Sequence, residues 1–302
     1  MKPPTNPASG ILLVDKPQGI TSHDVVARTR KLAGTRKIGH AGTLDPMATG
    51  LLVLGMNSST RLLTFVVGLG KEYLATIRLG QSSDTDDAEG TLGDAADVSA
   101  ITHDQIAAGI ARLTGEISQV PSSFSAIKVD GKRAYALARA GEDVELKSRT
   151  VTISAFDVLE TRRSAAFLDL DVRVECSSGT YIRALARDLG DALGVGGHLT
   201  ALRRTRVGPF DVAEASTLET LVVNDRLLSP AAVAGSLFPS HRLEEQDVID
   251  LVHGKRLTVP ALEGTTGPIA GLGPDGRLVG LLEANGATVR AIVNFPTDEV
   301  LA

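Results

Sequence analysis

Tryptophan is absent from this 302-residue chain, aromatic residues make up 3% of it, and cysteine occurs once, at Cys176. With 43% hydrophobic residues, the core must be built from Ala, Val, Leu and Ile. A single cysteine excludes an intrachain disulfide and any metal site made of several thiolates, and it suits a reducing cytoplasm. No apolar run approaches the roughly 20 residues of a membrane-spanning helix. The N-terminus lacks the basic stretch and apolar run of a signal peptide. These absences predict a soluble cytoplasmic protein without a membrane partner, and the length fits one large domain plus a small one.

Charge of one sign is scarce in particular segments rather than overall. The net charge is −5, which taken alone argues against a nucleic-acid partner. Residues 1–80, however, hold ten Lys and Arg against four Asp and Glu, and residues 121–210 hold fourteen against eleven. Residues 81–120 and 211–302 each carry a net −7. A local basic face is what phosphate binding needs, whatever the total.

Periodicity and breakers outline an α+β chain. Residues 1–9 are polar and Pro-rich and are expected to be disordered. A strand over 10–15 leads to a helix with Ser22 as its expected N-cap and a stop near Gly34. Strands are expected over 51–55, 71–80, 151–159 and 167–176, with helices near 59–67, from Thr102, and after a turn over 177–183 to an end near Gly194. The acidic run from Gln81 to Gly90 lacks the EF-hand ligand order and reads as a solvated loop. Residues 121–149 are polar, basic and turn-rich, and read as a protruding element. Beyond 237 the texture changes to Gly-rich short strands, a small β-barrel over 238–302. Strands separated by single helices and long loops, without a βαβα rhythm, predict a mixed or antiparallel sheet.

The stretch from Gly39 to Gly50, GHAGTLDPMATG, stands out. Three glycines and a proline exclude regular helix or strand, and Pro46 pushes Asp45 towards an extended conformation. One acid on a tightly shaped loop delivered by a core strand is a candidate for chemistry; a turn-capping aspartate is the plainer reading. A phosphate loop at Gly194–Gly197 is excluded by its spacing.

With these pieces in place the chain resembles the bacterial TruB family, tRNA pseudouridine synthases acting on the T-loop uridine at tRNA position 55. Six motifs carry the resemblance in order: Asp15-Lys16-Pro17 with Gly19, Thr21 and Ser22; the Gly39–Gly50 loop; Lys71-Glu72-Tyr73; the Pro121–Arg139 block; Ser178 to Arg183; and His198-Leu199 followed by Leu202-Arg203-Arg204. It covers about Gly10 to Phe210, and the C-terminal part resembles a PUA-type RNA-binding barrel more loosely. The resemblance implies a pseudouridine synthase catalytic domain over 10–237 and a cofactor-free isomerisation in which uracil is detached from C1′, turned and rejoined through C5. It implies Asp45 as nucleophile, Arg183 as its cation, Tyr73 as a stacking ring and Tyr181 as an aromatic that assists proton removal from C5. It further implies His40 near the flipped base and Leu199 in the uracil pocket. Lys16, Lys37, Lys128, Lys132, Arg133, Arg203 and Arg204 form a basic group for phosphate contacts, with 121–149 as the RNA-contact element gripping the T arm of tRNA. A monomer is expected, with no metal and no cofactor.

Two other readings compete. The same scaffold could serve as a tRNA-folding factor, which an Asp45→Asn protein would still support. A nucleoside hydrolase would need a second carboxylate paired with the first, which no motif offers.

Overall fold

A computed structural model describes residues 8–122, 128–129, 132–133, 146–164 and 166–296, with backbone alone at 128, 129, 132 and 133. Seven strands form most of one sheet: β1 (Gly10–Lys16), β2 (Ile38–Ala41), β3 (Thr49–Met56), β4 (Lys71–Leu79), β5 (Gly115–Gln119), β8 (Arg149–Arg163) and β9 (Leu168–Cys176). The strand β10 (Gly197–Val207) joins them, while the short β11 (Phe210–Asp211) and β12 (Ser216–Thr217) complete the sheet, and β6 (Lys128–Val129) and β7 (Lys132–Arg133) pair separately as a two-stranded ribbon. The order is β12-β1-β3-β10-β4-β9-β8-β5, with β2 on β3 and β11 on β10. Two pairs, β1 with β12 and β10 with β3, are parallel and the others antiparallel, so the sheet is mixed as expected.

The seam between β10 and β3 matters most, because it joins the two halves of the sheet. Arg203 and Arg204 lie opposite Thr49 and Gly50 there. A Cβ on Gly50 would stand 2.2 Å from the Arg204 carbonyl oxygen, and Gly50 adopts φ +101°, so only glycine fits this approach. Gly39–Ala41 and Thr49–Gly50 are therefore strand, contrary to the irregular stretch expected from their glycines, because cross-strand pairing with β3 and β10 supplies what propensity withholds. The irregular part shrinks to residues 42–48.

The helix Ser22–Ala33 ends at Gly34, which is left-handed at φ 64°. Its N-cap is Thr21 rather than Ser22. The Thr21 hydroxyl accepts from the Asp24 N–H at 3.1 Å and the Asp24 carboxylate accepts from the Thr21 N–H at 2.9 Å. Asp24 stands three residues after Thr21, the spacing of a capping box, and this frees the Ser22 hydroxyl for another task. Of the N-terminal segment, residues 1–7 lie outside the described residues. Ala8 and Ser9 are held: Ala8 accepts from Asn57 Nδ2 and the buried Ser9 hydroxyl accepts from the Ser58 N–H.

The C-terminal strands β13 (Ser240–Arg242), β14 (Leu257–Thr258), β15 (Ile269–Leu272), β16 (Leu278–Asn285) and β17 (Thr288–Asn294) form a second, five-stranded sheet in the order β13-β15-β16-β17-β14. Sequence periodicity did not suggest β13, which is three residues long and pairs parallel with β15. Ala270, Leu278, Leu281 and Phe295 share a core with Ile11, Leu13, Leu51 and Val53 of the larger sheet.

Candidate active site

The loop 42–48 is held by four separate braces. Ser22 Oγ donates to the Leu44 carbonyl at 3.0 Å and accepts from the Leu44 N–H at 2.9 Å. The Gly19 N–H donates to the Pro46 carbonyl at 2.8 Å. Lys16 is completely buried, and its ammonium donates to the carbonyls of Pro17, Ile20 and Pro46 at 2.9, 2.8 and 3.3 Å. Arg204, 1% exposed, donates from Nε to the Leu51 carbonyl at 2.8 Å and from Nη2 to the Gly42 carbonyl at 3.0 Å. Burial lowers the Lys16 pKa to about 8, against the opposing pull of Asp45. The expectation that Lys16 and Arg204 bind phosphate therefore gives way: both are buried, the Lys16 ammonium has all three bonds on backbone carbonyls, and Arg204 gives two donors to carbonyls flanking the loop while bordering the cavity.

Asp45 borders a cavity of about 320 Å³, together with Lys71, Tyr73, Tyr181, Arg183 and Leu202. Its carboxylate meets Arg183 Nη2 at 3.0 Å, and 37% of its side chain remains open to the cavity. Protein surrounds it on its other sides, and that burial pushes its pKa above the usual carboxylate range. Arg183 pulls it down, Asp87 pushes it up and Lys16 pulls it down.

Arg183 is the second residue of the helix Ile182–Ala192 and is 4% exposed. A cation is disfavoured at a helix N-terminus, and two carboxylates offset that cost. Its Nη1 meets Asp87 Oδ2 at 3.2 Å and donates to the Thr85 carbonyl at 2.9 Å. The segment expected to be a solvated acidic loop is thus part of the site. Asp86 and Asp87 are 7% and 3% exposed. Asp87 accepts from the Thr85 hydroxyl at 2.6 Å and the Glu89 N–H at 3.0 Å, while the Leu199 N–H holds the Asp86 carbonyl at 3.0 Å. Asp87 is a residue of the site that sequence reasoning missed, and a run of four acids within six residues gave no signal that one of them would turn inward. Among the described residues no three of His, Cys, Asp and Glu are arranged to hold a metal ion.

Tyr73 is 8% exposed on β4, opposite Arg204, and burial raises its pKa. Tyr181 precedes the Arg183 helix as its N-cap. The side chain of Gln119, fully buried at the end of β5, accepts from the Tyr181 N–H at 2.8 Å and donates to its carbonyl at 3.0 Å. Lys71 is 7% exposed, donates to the Val67 and Leu69 carbonyls at 2.7 and 2.6 Å, and has a pKa lowered to about 8, chiefly by burial.

Other expected residues stand elsewhere. Leu199 is wholly buried in the core and does not line the cavity. It pairs with Ile77, four residues along β4 from Tyr73, a distance of about 13 Å at strand spacing; Leu202 takes the cavity position instead. His40 lies on β2 opposite Leu54, its ring edge-on to His23 at 5.4 Å and outside the cavity lining; burial, with His23 and Arg204, lowers its pKa. Arg203 pairs with Asp15 at 2.9 and 2.7 Å yet keeps 39% of its side chain exposed. Lys37 is exposed. The side chains of Lys128, Lys132 and Arg133 lie outside the described residues.

Known proteins match this arrangement along its whole length. A profile described as the TruB family pseudouridylate synthase N-terminal domain matches residues 30–182. Profiles for the tRNA pseudouridylate synthase B C-terminal domain and for the tRNA pseudouridine synthase II C-terminus match 183–228 and 238–296. The tRNA pseudouridine synthase B of Leifsonia xyli is 61% identical, with 97% of this chain and 98% of that protein covered. That of an Arthrobacter species is 56% identical, with 96% and 98% covered. Among solved structures, a Cbf5-Nop10-Gar1 complex matches with a TM-score of 0.71 at 28% identity, covering 96% of this chain and 86% of the matched one. An H/ACA RNP bound to a substrate RNA containing 2′-deoxyuridine matches with a TM-score of 0.70 at 28% identity and the same coverage. Three successive profiles, relatives more than half identical end to end, and one cavity acid held by a buried arginine lead to one conclusion: the chain belongs to the TruB family of pseudouridine synthases.

Proposed function

We propose that this protein isomerises the uridine at position 55 of the tRNA T loop to pseudouridine, with Asp45 as nucleophile on a flipped-out uridine. The coarser activity, pseudouridine formation in tRNA, is that of its family. One observation supports Asp45 as the nucleophile: it is the carboxylate open to the cavity, while its neighbour Asp87 is turned into Arg183 and 4% exposed. A hydrolase of the two-carboxylate kind needs both acids facing the sugar.

The chemistry balances without oxidant, reductant or water. The N1–C1′ bond breaks, a C5–C1′ bond forms, the C5 proton leaves and N1 gains one. Asp45 serves as an ionised nucleophile, and Arg183 favours that ionised form against the burial that opposes it. A base inside a folded loop must leave its stack to reach the cavity. Tyr73 gives it a ring to lie against, and Tyr181 stands to assist removal of the C5 proton. Lys37, Arg203 and the basic residues Lys128, Lys132 and Arg133 supply phosphate contacts to the T arm.

The test is pseudouridine formation in an unmodified tRNA transcript by wild type and Asp45→Asn. Product at the T-loop uridine from wild type alone is expected. Product from both proteins would remove Asp45 from its role; tRNA binding without product from wild type would favour an RNA-folding factor.

A further inference from the structure

Strand β5 ends at Gln119 and β8 begins at Arg149, and these two residues are cross-strand partners at one end of the β5–β8 pair. Both touch Tyr181. Gln119 holds its backbone N–H and carbonyl. Arg149 lays its guanidinium over the Tyr181 ring, 5.6 Å from the centroid. Its Nη1 is also 3.9 Å from where a Cβ on Gly179 would stand, and both Gly179 and Tyr181 line the cavity.

The neighbouring arginines are committed: Arg183 to Asp45 and Asp87, Arg187 to Asp86 and Asp188, Arg204 to two carbonyls. Arg149 has neither a carboxylate nor a hydrogen-bonded carbonyl among the described residues, and its side chain is half-buried rather than splayed into solvent. Cation–π contact does not use up the guanidinium N–H donors, which can still reach a further partner. A guanidinium over a cavity-lining ring, with no ion-pair partner among the described residues, is suited to a phosphate.

The geometry points to Arg149 as a substrate-positioning residue that binds a backbone phosphate of the RNA strand entering the cavity and holds the Tyr181 ring in place as it does so. This rests on the RNA-modifying reading above. The basic residues singled out from the sequence did not include it, because nothing in the Ser148-Arg149-Thr150 context distinguishes it from surface charge.

The experiment measures tRNA affinity against salt in an Asp45→Asn background, comparing Arg149, Arg149→Met and Arg149→Lys, with turnover measured separately on Asp45 proteins. Loss of one phosphate contact lowers the slope of log K against log salt by roughly 0.7–0.9 and weakens binding about tenfold at low salt. Arg149→Met is expected to do both and Arg149→Lys to keep the slope, since the charge remains. A slope for Arg149→Met equal to that with Arg149, or a fall that Arg149→Lys shares, overturns the proposal. Pseudouridine formation by wild type is the separate control: its failure would refute the proposed function, whereas an unchanged slope beside an active wild type refutes this assignment alone.

Discussion

Replacing Ser22 by alanine should damage catalysis from a residue that never meets the substrate. Its hydroxyl is the partner of both the N–H and the carbonyl of Leu44, the residue before Asp45. Ser22 and Leu44 are 1% and 3% exposed, so water does not readily replace the hydroxyl. An unsatisfied buried polar group costs about 1–3 kcal/mol, and two of them, partly relieved by relaxation, about 2–4 kcal/mol. At about 2–4 °C per kcal/mol for a domain of this size, Tm should fall by roughly 4–16 °C. The loop relaxes by moving, and a displacement of about 1 Å at the reacting group costs on the order of a hundredfold in rate. The control is Thr21→Ala, which removes the helix cap one residue earlier and costs about 1 kcal/mol without touching the loop. Thermal unfolding and single-turnover pseudouridine formation, run on both variants below their melting temperatures, separate the effects. Ser22→Ala should lose rate and stability, Thr21→Ala stability alone. If Ser22→Ala keeps the wild-type rate, the hydroxyl is an ordinary buried contact and the loop-positioning argument fails.

Further outcomes follow from the same site. Arg183→Met removes the cation that pulls the Asp45 pKa down, so the acid limb of the single-turnover rate should move to higher pH. Asp87→Asn removes a charge that pushes it up, so the limb should move to lower pH while the plateau falls, because Arg183 loses an anchor; limbs that coincide with wild type in both variants would separate Asp45 from this network. Lys16 has a folded-state pKa of about 8 against 10.5 unfolded, so between those values the unfolded chain binds the extra proton and stability rises with pH. The stability difference between wild type and Lys16→Met, from denaturant unfolding at fixed pH, should therefore widen in favour of wild type from about pH 8 to 10.5; a flat difference would place the ammonium in a solvated setting.

Residues whose role depends on local backbone chemistry are legible in the chain itself. The stop at Gly34 and the start at Thr102 follow from a left-handed C-cap and a capping box, and both are found. The clean alternation of 168–175 forms β9, with alternate residues buried. Asp45 is legible because Gly42, Pro46 and Gly50 mark a shaped loop, and the family resemblance supplies its partner Arg183, found at 3.0 Å. Ser22 is misassigned because two adjacent residues both suit an N-cap, and only the Asp24 contact selects Thr21.

What composition, spacing and resemblance determined is the fold class and the two residues that meet in the cavity: a chain with one cysteine, an α+β fold, a single acid on a glycine-rich loop and an arginine to hold it. What tertiary structure alone decided is where charge points. Lys16 and Arg204 share the composition of phosphate-binding residues, yet burial against backbone carbonyls makes them braces. Asp87 shares a run with exposed acids, yet the Leu199–Asp86 contact turns it onto Arg183. A charged side chain is long or polar enough to serve either water or the interior, and its sequence neighbours do not say which. That choice is made by partners as far as 162 residues away, once the sheet has brought them within hydrogen-bonding distance.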